Sequence, residues 1–533
     1  MAKIFLYDTT LRDGTQGEGV SLTVDDKLRV LKRLDKLGIH YAEGGWPGSN
    51  PKDIEFFQRA GDLQLQQLRL TAFGSTRRAS LAVEDDPNLA AILESGVKAA
   101  AIFGKTWDLH VREALRTTLE ENLRMIYDSI SYLKSHGLEV IYDAEHFFDG
   151  YRANPQYALE TVRQAAQAGA DSISLCDTCG GTMPWVVEEL VTMLRGEIST
   201  PLAIHAHNDS GLAVANSLSA VRAGATGVQG TINGYGERNG NADLCVIIPN
   251  LMLKLDKTVI SKEQLASLTQ VSRYVQELAN QNPDPRQPYV GASAFAHKGG
   301  IHVSAILKHP QTYEHIEPEL VGNERRVLVS ELAGISNIIY KAQEFNLELD
   351  RNSPVTKKLV SQIKELEHTG YQFEGADGTF ELLLRKALGQ ISPLFVLEGF
   401  RLITEKREDN GDPISEATIK LRVGESRVHT AAEGDGPVNA LDNALRKALE
   451  TFYPQLEGIK LSDYKVRVID EKSGTAAKVR VLIQSKDEKR SWGTVGVSTN
   501  IIEASWRALV DSLEYGILCR GEEGKESKQH LAY

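Results

Sequence analysis

Over about the first 250 residues, short apolar, β-prone runs alternate with longer amphipathic stretches, the pattern of parallel strands joined by crossover helices. Eight strands are expected, near 3–8, 39–45, 68–73, 97–103, 138–143, 171–176, 201–207 and 225–231. The intervening helices carry start and stop signals: Asp25 to Leu37 presents Leu28, Leu31 and Leu34 on one face and stops at Gly38, and Asn154-Pro155 opens a helix that Gly169 closes. Eight units at roughly 30-residue spacing predict a (β/α)8 TIM barrel. A doubly wound dinucleotide-binding sheet needs fewer strands and a Gly-rich first turn, which this chain lacks.

Beyond the barrel the pattern changes twice. Ser261 to Gln281 reads as one helix with a Ser261/Gln264 capping box, ended by the proline-rich joint NPDPRQP at 282–288, which is expected to send the chain away from the barrel. Residues 290 to 385 have interrupted helical periodicity. Past Ile391 alternating strands take over (FRLITEKRE, ATIKLRVG, YKVRVID, AAKVRVLIQ, RSWGTVGVS) with two amphipathic helices. The segments EGDGPVNALDNALRKAL and GVSTNIIEASWRALVDSL each read as strand, small-residue turn and helix, so a pseudo-twofold α+β domain is expected. The expected organisation is a catalytic barrel over 1–260, helical linker or lid subdomains over 261–389, a C-terminal α+β regulatory and dimerisation domain over 390–518, and a polar, frayed tail over 519–533.

Composition narrows the setting. The net charge of −12 gives the surface as a whole no electrostatic reason to collect on nucleic acid or an anionic membrane, so anionic ligands must be met by local cations. Four cysteines, Cys176, Cys179, Cys245 and Cys519, supply no disulfide framework and point to a reducing, cytoplasmic setting. The N-terminal MAKIFLYDTTLRDG has no apolar leader core, and no later run approaches the ~18 apolar residues of a membrane span.

The strongest chemical signal is His205-Ala-His207 on the seventh strand, where residues i and i+2 face one side and can share a metal ion. Asp13, after the first strand, and Asn241, after the eighth, would lie beside that strand at the C-terminal mouth of a closed barrel. Two imidazoles, a carboxylate and an amide oxygen suit Mg, Mn or Zn without choosing among them. Arg12, Gln16, Glu43, Glu145, Asp177, Thr178, Asn208, Asp209, Asn233 and Glu237 are expected at the same face. Arg12 is the natural bidentate clamp for a substrate carboxylate, and Thr178 a second donor to it. Gln16 and Glu43 are further substrate-binding candidates, and Glu145 a candidate acid or base. Cys176 and Cys179 form a single CxxC at a strand end; both read as barrel packing rather than a redox or zinc pair. The glycines of GYGERNG are expected to let the chain approach the metal site.

Four motifs in order, DTTLRDGTQ (8–16), HAHND (205–209), GYGERNGNA (234–242) and GGIH (299–302), resemble those of the α-isopropylmalate, homocitrate and citramalate synthases, and the resemblance extends to EGDGPVNA at 433–440. Within that group, YAEGGWPGSNPKDIEFF and HKGGIHVSAILKHPQTYEHI are most similar to the branch that condenses pyruvate with acetyl-CoA. The resemblance implies Asp13, His205 and His207 as metal ligands, with Asn241 as an amide ligand or near neighbour. It places Arg12 and Thr178 on the keto acid and Glu145 near acetyl-CoA, and has the neighbouring subunit of a homodimer bring His302 and Tyr313. Some relatives carry an acidic residue two positions after that histidine; here it is Ser304, so a histidine–carboxylate pair is not assumed.

The implied reaction is a metal-dependent Claisen-type condensation followed by thioester hydrolysis, the first step of an isoleucine pathway, with isoleucine as effector. Gly434, Asp435, Gly436, Asn500 and Ala504, at equivalent turns of the repeat, are the candidate allosteric residues. The same chemistry on 2-oxoisovalerate or 2-oxoglutarate, a metal-dependent aldolase or lyase, and an amino-acid-sensing protein without catalysis remain open alternatives.

Overall fold

The computed structural model describes residues 4–329, 334–406, 412–470, 474 and 476–529, with side chains to Leu518 in the last helix. Contacts divide it into two units, Met1–Phe295 with His315–Arg325, and Ala296–Glu314 with Arg326–Tyr533.

In the first unit β1 (Phe5–Asp8), β2 (Tyr41–Gly45), β3 (Arg69–Ser75), β4 (Ala99–Lys105), β5 (Glu139–Glu145), β6 (Ser172–Asp177), β7 (Leu202–Ala206) and β8 (Gly227–Gly230) form a closed barrel in sequence order. The expected (β/α)8 fold is the one observed. Every pairing is parallel, and β1 joins β8 with Tyr7 opposite Gln229 and Asp8 opposite Gly230. The reason is local. Val24–Leu37 is capped by a Thr23/Asp26 box and stopped by Gly38 at φ +94, burying Leu31 and Leu34 against the sheet. Asn154 caps Pro155–Gln167 by accepting from Tyr157 N, without a reciprocal box.

The expected helix from Ser261 to Gln281 is two helices, Lys262–Leu265 and Leu268–Leu278. The capping box is present, but the Ser267 hydroxyl donates to Gln264 O at 2.7 Å and competes with the helical ladder there. The proline-rich joint does not leave the barrel at once. Gln287 Nε2 donates to Asp243 Oδ2 at 2.8 Å, the Tyr289 hydroxyl reaches Asn250 Oδ1 at 3.1 Å, and the barrel unit continues to Phe295.

The second unit begins with a two-residue strand β9 (Ala296–His297) paired with β10 (Arg326–Val327). Helices Ile335–Glu344, Pro354–His368 and Asp377–Ala387 pack around Ile338, Leu359, Phe373 and Phe380. Two repeats follow. Antiparallel β11 (Val396–Glu405), β12 (Ile414–Val423) and β13 (Ser426–Gly434) lead into helix Pro437–Leu449; β14 (Lys460–Val468), β15 (Val479–Lys486) and β16 (Ser491–Ser498) lead into helix Ile501–Gln529. β13 carries no fully buried residue, which is why its pattern is weak in sequence. The tail expected to fray from 519 is helical backbone as far as Gln529, in keeping with the Glu, Lys and Gln in that stretch, all good helix formers; 530–533 lie outside the described residues. Among the described residues, no helix is long and apolar enough to cross a membrane.

Candidate active site

A cavity of about 250 Å³ opens at the C-terminal end of the barrel, lined by residues from all eight of its strands or the loops that follow them. The turn after β1 sets its floor. Asp8 accepts from Thr10 N at 2.9 Å and Thr10 Oγ1 at 2.8 Å, and Thr10 Oγ1 accepts from Ile232 N at 2.8 Å, which ties this turn to the one after β8. Burial pushes Asp8 up to about 7 against the pull of the Thr10 hydrogen bonds. The tie places Arg12 and Asp13 across from β7.

His205 and His207 point the same way from β7, with Nε2 atoms 3.3 Å apart. Asp13 Oδ2 lies 3.4 Å from His205 Nε2 and 4.0 Å from His207 Nε2. All three residues are buried. Burial, and for His207 the neighbouring His205, lowers both imidazoles, His207 to about 4, so both are neutral near pH 7 and offer lone pairs. Burial opposes charge on Asp13, yet Arg12 and the two imidazoles hold it below the usual carboxylate range. His205 Nδ1 meets Gln229 Oε1 at 2.9 Å, which makes Nδ1 the protonated nitrogen and turns the Nε2 lone pair toward Asp13 and His207. Gln229 Nε2 in turn donates to Asp143 Oδ1 at 2.9 Å.

The loop after β8 completes the arrangement. His207 and Asn241 form an isolated backbone bridge, and Asn241 Nδ2 donates to Tyr235 O at 3.1 Å. Here a glycine is required: a Cβ on Gly236, at φ +156, would fall 2.1 Å from Asn241 Nδ2. Asp13 Oδ1, Asn241 Oδ1 and His207 Nδ1 are buried without a hydrogen-bond partner. Orphaned acceptors beside converging imidazoles are the expected signature of a cation site, so this set fits a divalent metal.

Arg12 sits beside these groups. Its Nε donates to Glu43, its Cζ lies 3.8 Å above the Phe73 ring, and Nη1 is 3.8 Å from Asp13 Oδ2. Burial works against the charge, but Glu43 and Asp13 hold the guanidinium above its ordinary value. Glu43 does not line the cavity as expected of a substrate-binding residue. It is fully buried behind Arg12 and also accepts from the Tyr7 hydroxyl at 2.8 Å.

Gln16, Glu145, Thr178 and Glu237 do line the cavity. Glu145 is paired with Lys105, and Thr178 Oγ1 accepts from His146 N at 2.9 Å, leaving its proton to donate. Other expected mouth residues serve the scaffold. Asp177 binds Thr182 and Asn216, Asn208 accepts from Ala213 N, Asp209 pairs with Arg238, and Asn233 turns to Ser272 and Gln287. Cys176 is buried but also lines the cavity, and Cys179, expected as packing, is exposed.

His302 and Tyr313 lie in the second unit, stacked with ring centroids 4.2 Å apart. Of the candidate allosteric residues, Asn500 caps its own helix by accepting from Ile502 N at 2.9 Å, and Ala504 is buried where a Cβ on Gly496 would strike its carbonyl at 2.0 Å. Gly436 precedes helix Pro437–Leu449 with no side-chain cap, beside Gly434 and the exposed Asp435.

Sequence reasoning missed several cavity residues. Asp143, two positions before Glu145 on the inward face of β5, is raised to about 8, first by burial and then by Glu43. The alternation Asp143-x-Glu145 was the available signal. Trp46, Phe73 and Phe103 wall the cavity, with ring centroids 5.4 to 5.7 Å apart; in sequence they look like ordinary core aromatics.

Three family models match the chain: HMGL-like over residues 3–275, homocitrate synthase post-HMGL domain-like over 289–370, and LeuA allosteric (dimerisation) domain over 374–517. The (R)-citramalate synthase of Geobacter sulfurreducens is 58% identical over 529 residues, covering 99% of this chain and 100% of the relative. That of Aquifex aeolicus is 54% identical over 523 residues, covering 98% and 99%. The 2-isopropylmalate synthase of Methanocaldococcus jannaschii is 35% identical over 518 residues, covering 96% and 94%.

His207→Ala is expected to abolish turnover and weaken divalent-metal binding, while the metal-free protein melts within a few degrees of wild type because the barrel core is kept. Activity within a few-fold of wild type in metal-replete assay would remove the metal from this site.

Proposed function

The chain belongs to the HMGL-like family, in its citramalate synthase group, and on that premise we propose that it condenses acetyl-CoA with pyruvate and hydrolyses the product thioester, giving (R)-citramalate and CoA. The observation that carries this reading is Arg12 locked beside the Asp13, His205 and His207 donor set in one cavity. A 2-keto acid needs both, a fork for its carboxylate and an electrophilic partner for its ketone.

Asp13, His205 and His207 would hold a divalent cation, with Asn241 Oδ1 beside them; bound there, it supplies Lewis acidity to the ketone and charge stabilisation to the developing alkoxide. Arg12 has its Nε taken by Glu43, so its two terminal nitrogens face the substrate carboxylate, and the Thr178 hydroxyl donates to the same group. Asp143, protonated near pH 7, braces Gln229, which keeps His205 in the Nε2-binding tautomer. A base takes a proton from the acetyl methyl group, the resulting carbon attacks the ketone, and water cleaves the thioester and releases CoA. Glu145, paired with Lys105 in the cavity lining, is read as the acid or base on the acetyl side.

With Arg12 over Phe73, a carboxylate on the guanidinium sets the rest of the keto acid against the Trp46, Phe73 and Phe103 rings, where a methyl group is accommodated more easily than a branched chain. His302 and Tyr313 are read as contributions from the partner chain of a homodimer, in line with the dimerisation-domain match. Isoleucine is the proposed effector of the region beyond 390, supported by the match to an allosteric domain. Of its two helix starts, that of helix Pro437–Leu449 has no side-chain cap at Gly436, with Asp435 N–H donating to Asn439 Oδ1 at 3.2 Å, whereas Asn500 caps the other.

Two experiments test this reading. In the first, thiol release is followed with acetyl-CoA and pyruvate, 2-oxoisovalerate or 2-oxoglutarate, with and without isoleucine. Pyruvate is expected to be preferred, isoleucine to inhibit, and Phe103→Ala to shift kcat/KM toward 2-oxoisovalerate by about 10-fold or more, the worth of one to two methylenes. A wild-type preference for another keto acid would overturn the substrate, and full-length enzyme indifferent to isoleucine would overturn the effector. In the second, His302→Ala and Asp13→Ala chains are refolded together. Recovered activity is expected from hybrid dimers; none, with hybrids shown to form, would place each site within one chain.

A further inference from the structure

Outside the site just described, a second group of metal-binding side chains gathers on the loops after β5 and β6. His146 follows Glu145 directly and takes φ +59, a left-handed conformation held in place by its N–H donating to Thr178 Oγ1 at 2.9 Å. Its Nδ1 lies 3.2 Å from Asp149 Oδ2 and 3.6 Å from Cys179 Sγ. The donor atoms of all three residues fall within 4.8 Å of one another. Asp149 Oδ1 is occupied by Arg152 at 3.3 Å, leaving Oδ2 turned to the cluster.

This is not a nucleophilic relay. A Cys–His–Asp relay uses both imidazole nitrogens, one for the thiol and one for the carboxylate, whereas here a single nitrogen, Nδ1, faces both. The Cys179 thiol is also pushed up to about 11, first by the partial loss of water around its sulfur and then by its hydrogen bond to Asp149, the opposite of an activated nucleophile.

The separations fit another chemistry. Tetrahedral zinc with bonds of about 2.0 Å to nitrogen and oxygen and about 2.3 Å to sulfur has N···O edges of about 3.3 Å and N···S edges of about 3.6 Å. The observed 3.2 and 3.6 Å match those edges. The three donor types, imidazole, carboxylate and thiol, together favour a borderline-soft ion over magnesium. Cys179 is exposed, so the site is open to solvent and one coordination position is left for water. The neighbouring His110 ring, 4.3 Å from that of His146, adds a buried Nδ1 without a partner.

We propose that His146 Nδ1, Asp149 Oδ2 and Cys179 Sγ form a second divalent-cation site for zinc-class ions, separate from the Asp13, His205 and His207 set and at the rim of the same cavity. On binding, the thiol proton is released to solvent and the ion takes the thiolate. The site adjoins the catalytic mouth through two covalent neighbours, Glu145 before His146 and Thr178 before Cys179. It does not depend on which reaction the barrel performs.

Cobalt is the probe, because thiolate ligation gives Co²⁺ a near-ultraviolet charge-transfer band that imidazole and carboxylate do not. Full-length protein with its main site saturated by magnesium is titrated with Co²⁺, and zinc is then added in competition. A thiolate band is expected, displaced by zinc, lost in Cys179→Ala and in His146→Ala, and retained in Cys519→Ser and in His207→Ala. Circular dichroism and melting confirm that each variant is folded, and Cys179→Ser serves as the milder replacement. No band in the wild type, or a band that survives Cys179→Ala in folded protein, overturns the proposal.

Discussion

A guanidinium taken out of water is the constraint around which the catalytic end of this barrel is arranged. Arg12 is covered on one side by the Phe73 ring at 3.8 Å and bound at Nε by Glu43, itself fully buried and held by the Tyr7 hydroxyl. Stripping such a pair of one partner costs about 3–5 kcal/mol, because the remaining charge stays buried. The arrangement is therefore stable only as a whole. Its result is a fixed cation bound to Glu43 through Nε and 3.8 Å from Asp13 at Nη1, inside a chain whose net charge is −12. The local field that an anionic substrate needs is made at one point, and Arg12 also keeps Asp13 ionised among neutral imidazoles.

That point is reached because the barrel closes. Asp13 and His207 are far apart in sequence, and only the β1–β8 pairing makes them neighbours. The Asp8–Thr10–Ile232 chain of hydrogen bonds then fixes the β1 turn against the β8 turn, and Gly236 leaves room for Asn241 beside β7. Polar residues of the segments 8–14, after β1, and 233–241, after β8, thus divide their work. Asp8, Thr10 and Asn233 hold the backbone, while Arg12, Asp13 and Asn241 face the cavity or its donor set. The 250 Å³ of space between them is enough for a small keto acid and the reacting end of a thioester, and the aromatic wall of Trp46, Phe73 and Phe103 limits what else enters.

The barrel was legible in sequence because a strand buried on both faces leaves an apolar run, and eight such runs at even spacing permit few other folds. The metal-type set was legible for a similar reason, since period-two spacing puts His205 and His207 on one side whatever the surroundings. What escaped were residues whose role depends on a neighbour three-dimensional closure supplies. Glu43 reads as one more carboxylate at a strand end, and nothing in sequence says that it lies beneath Arg12 rather than beside the substrate. Gln229 is a single polar residue in an apolar strand and Asp143 one of three carboxylates on β5, and only their 2.9 Å contact shows them bracing His205. Cys179 shares a CxxC with Cys176, but strand geometry buries one and the following turn exposes the other, beside histidine and aspartate that sequence places some thirty residues away. Helix Ser261–Gln281 failed at one residue, where a serine side chain took a carbonyl from the ladder.

The most direct measurement is made on Arg12→Lys, with kcat/KM for pyruvate and divalent-metal affinity determined on the same preparation. A lysine keeps the charge and loses the fork, so kcat/KM is expected to fall on the order of 10²-fold with metal affinity unchanged. A kcat/KM within a few-fold of wild type would contradict the assignment of Arg12 as the clamp on which the site is built.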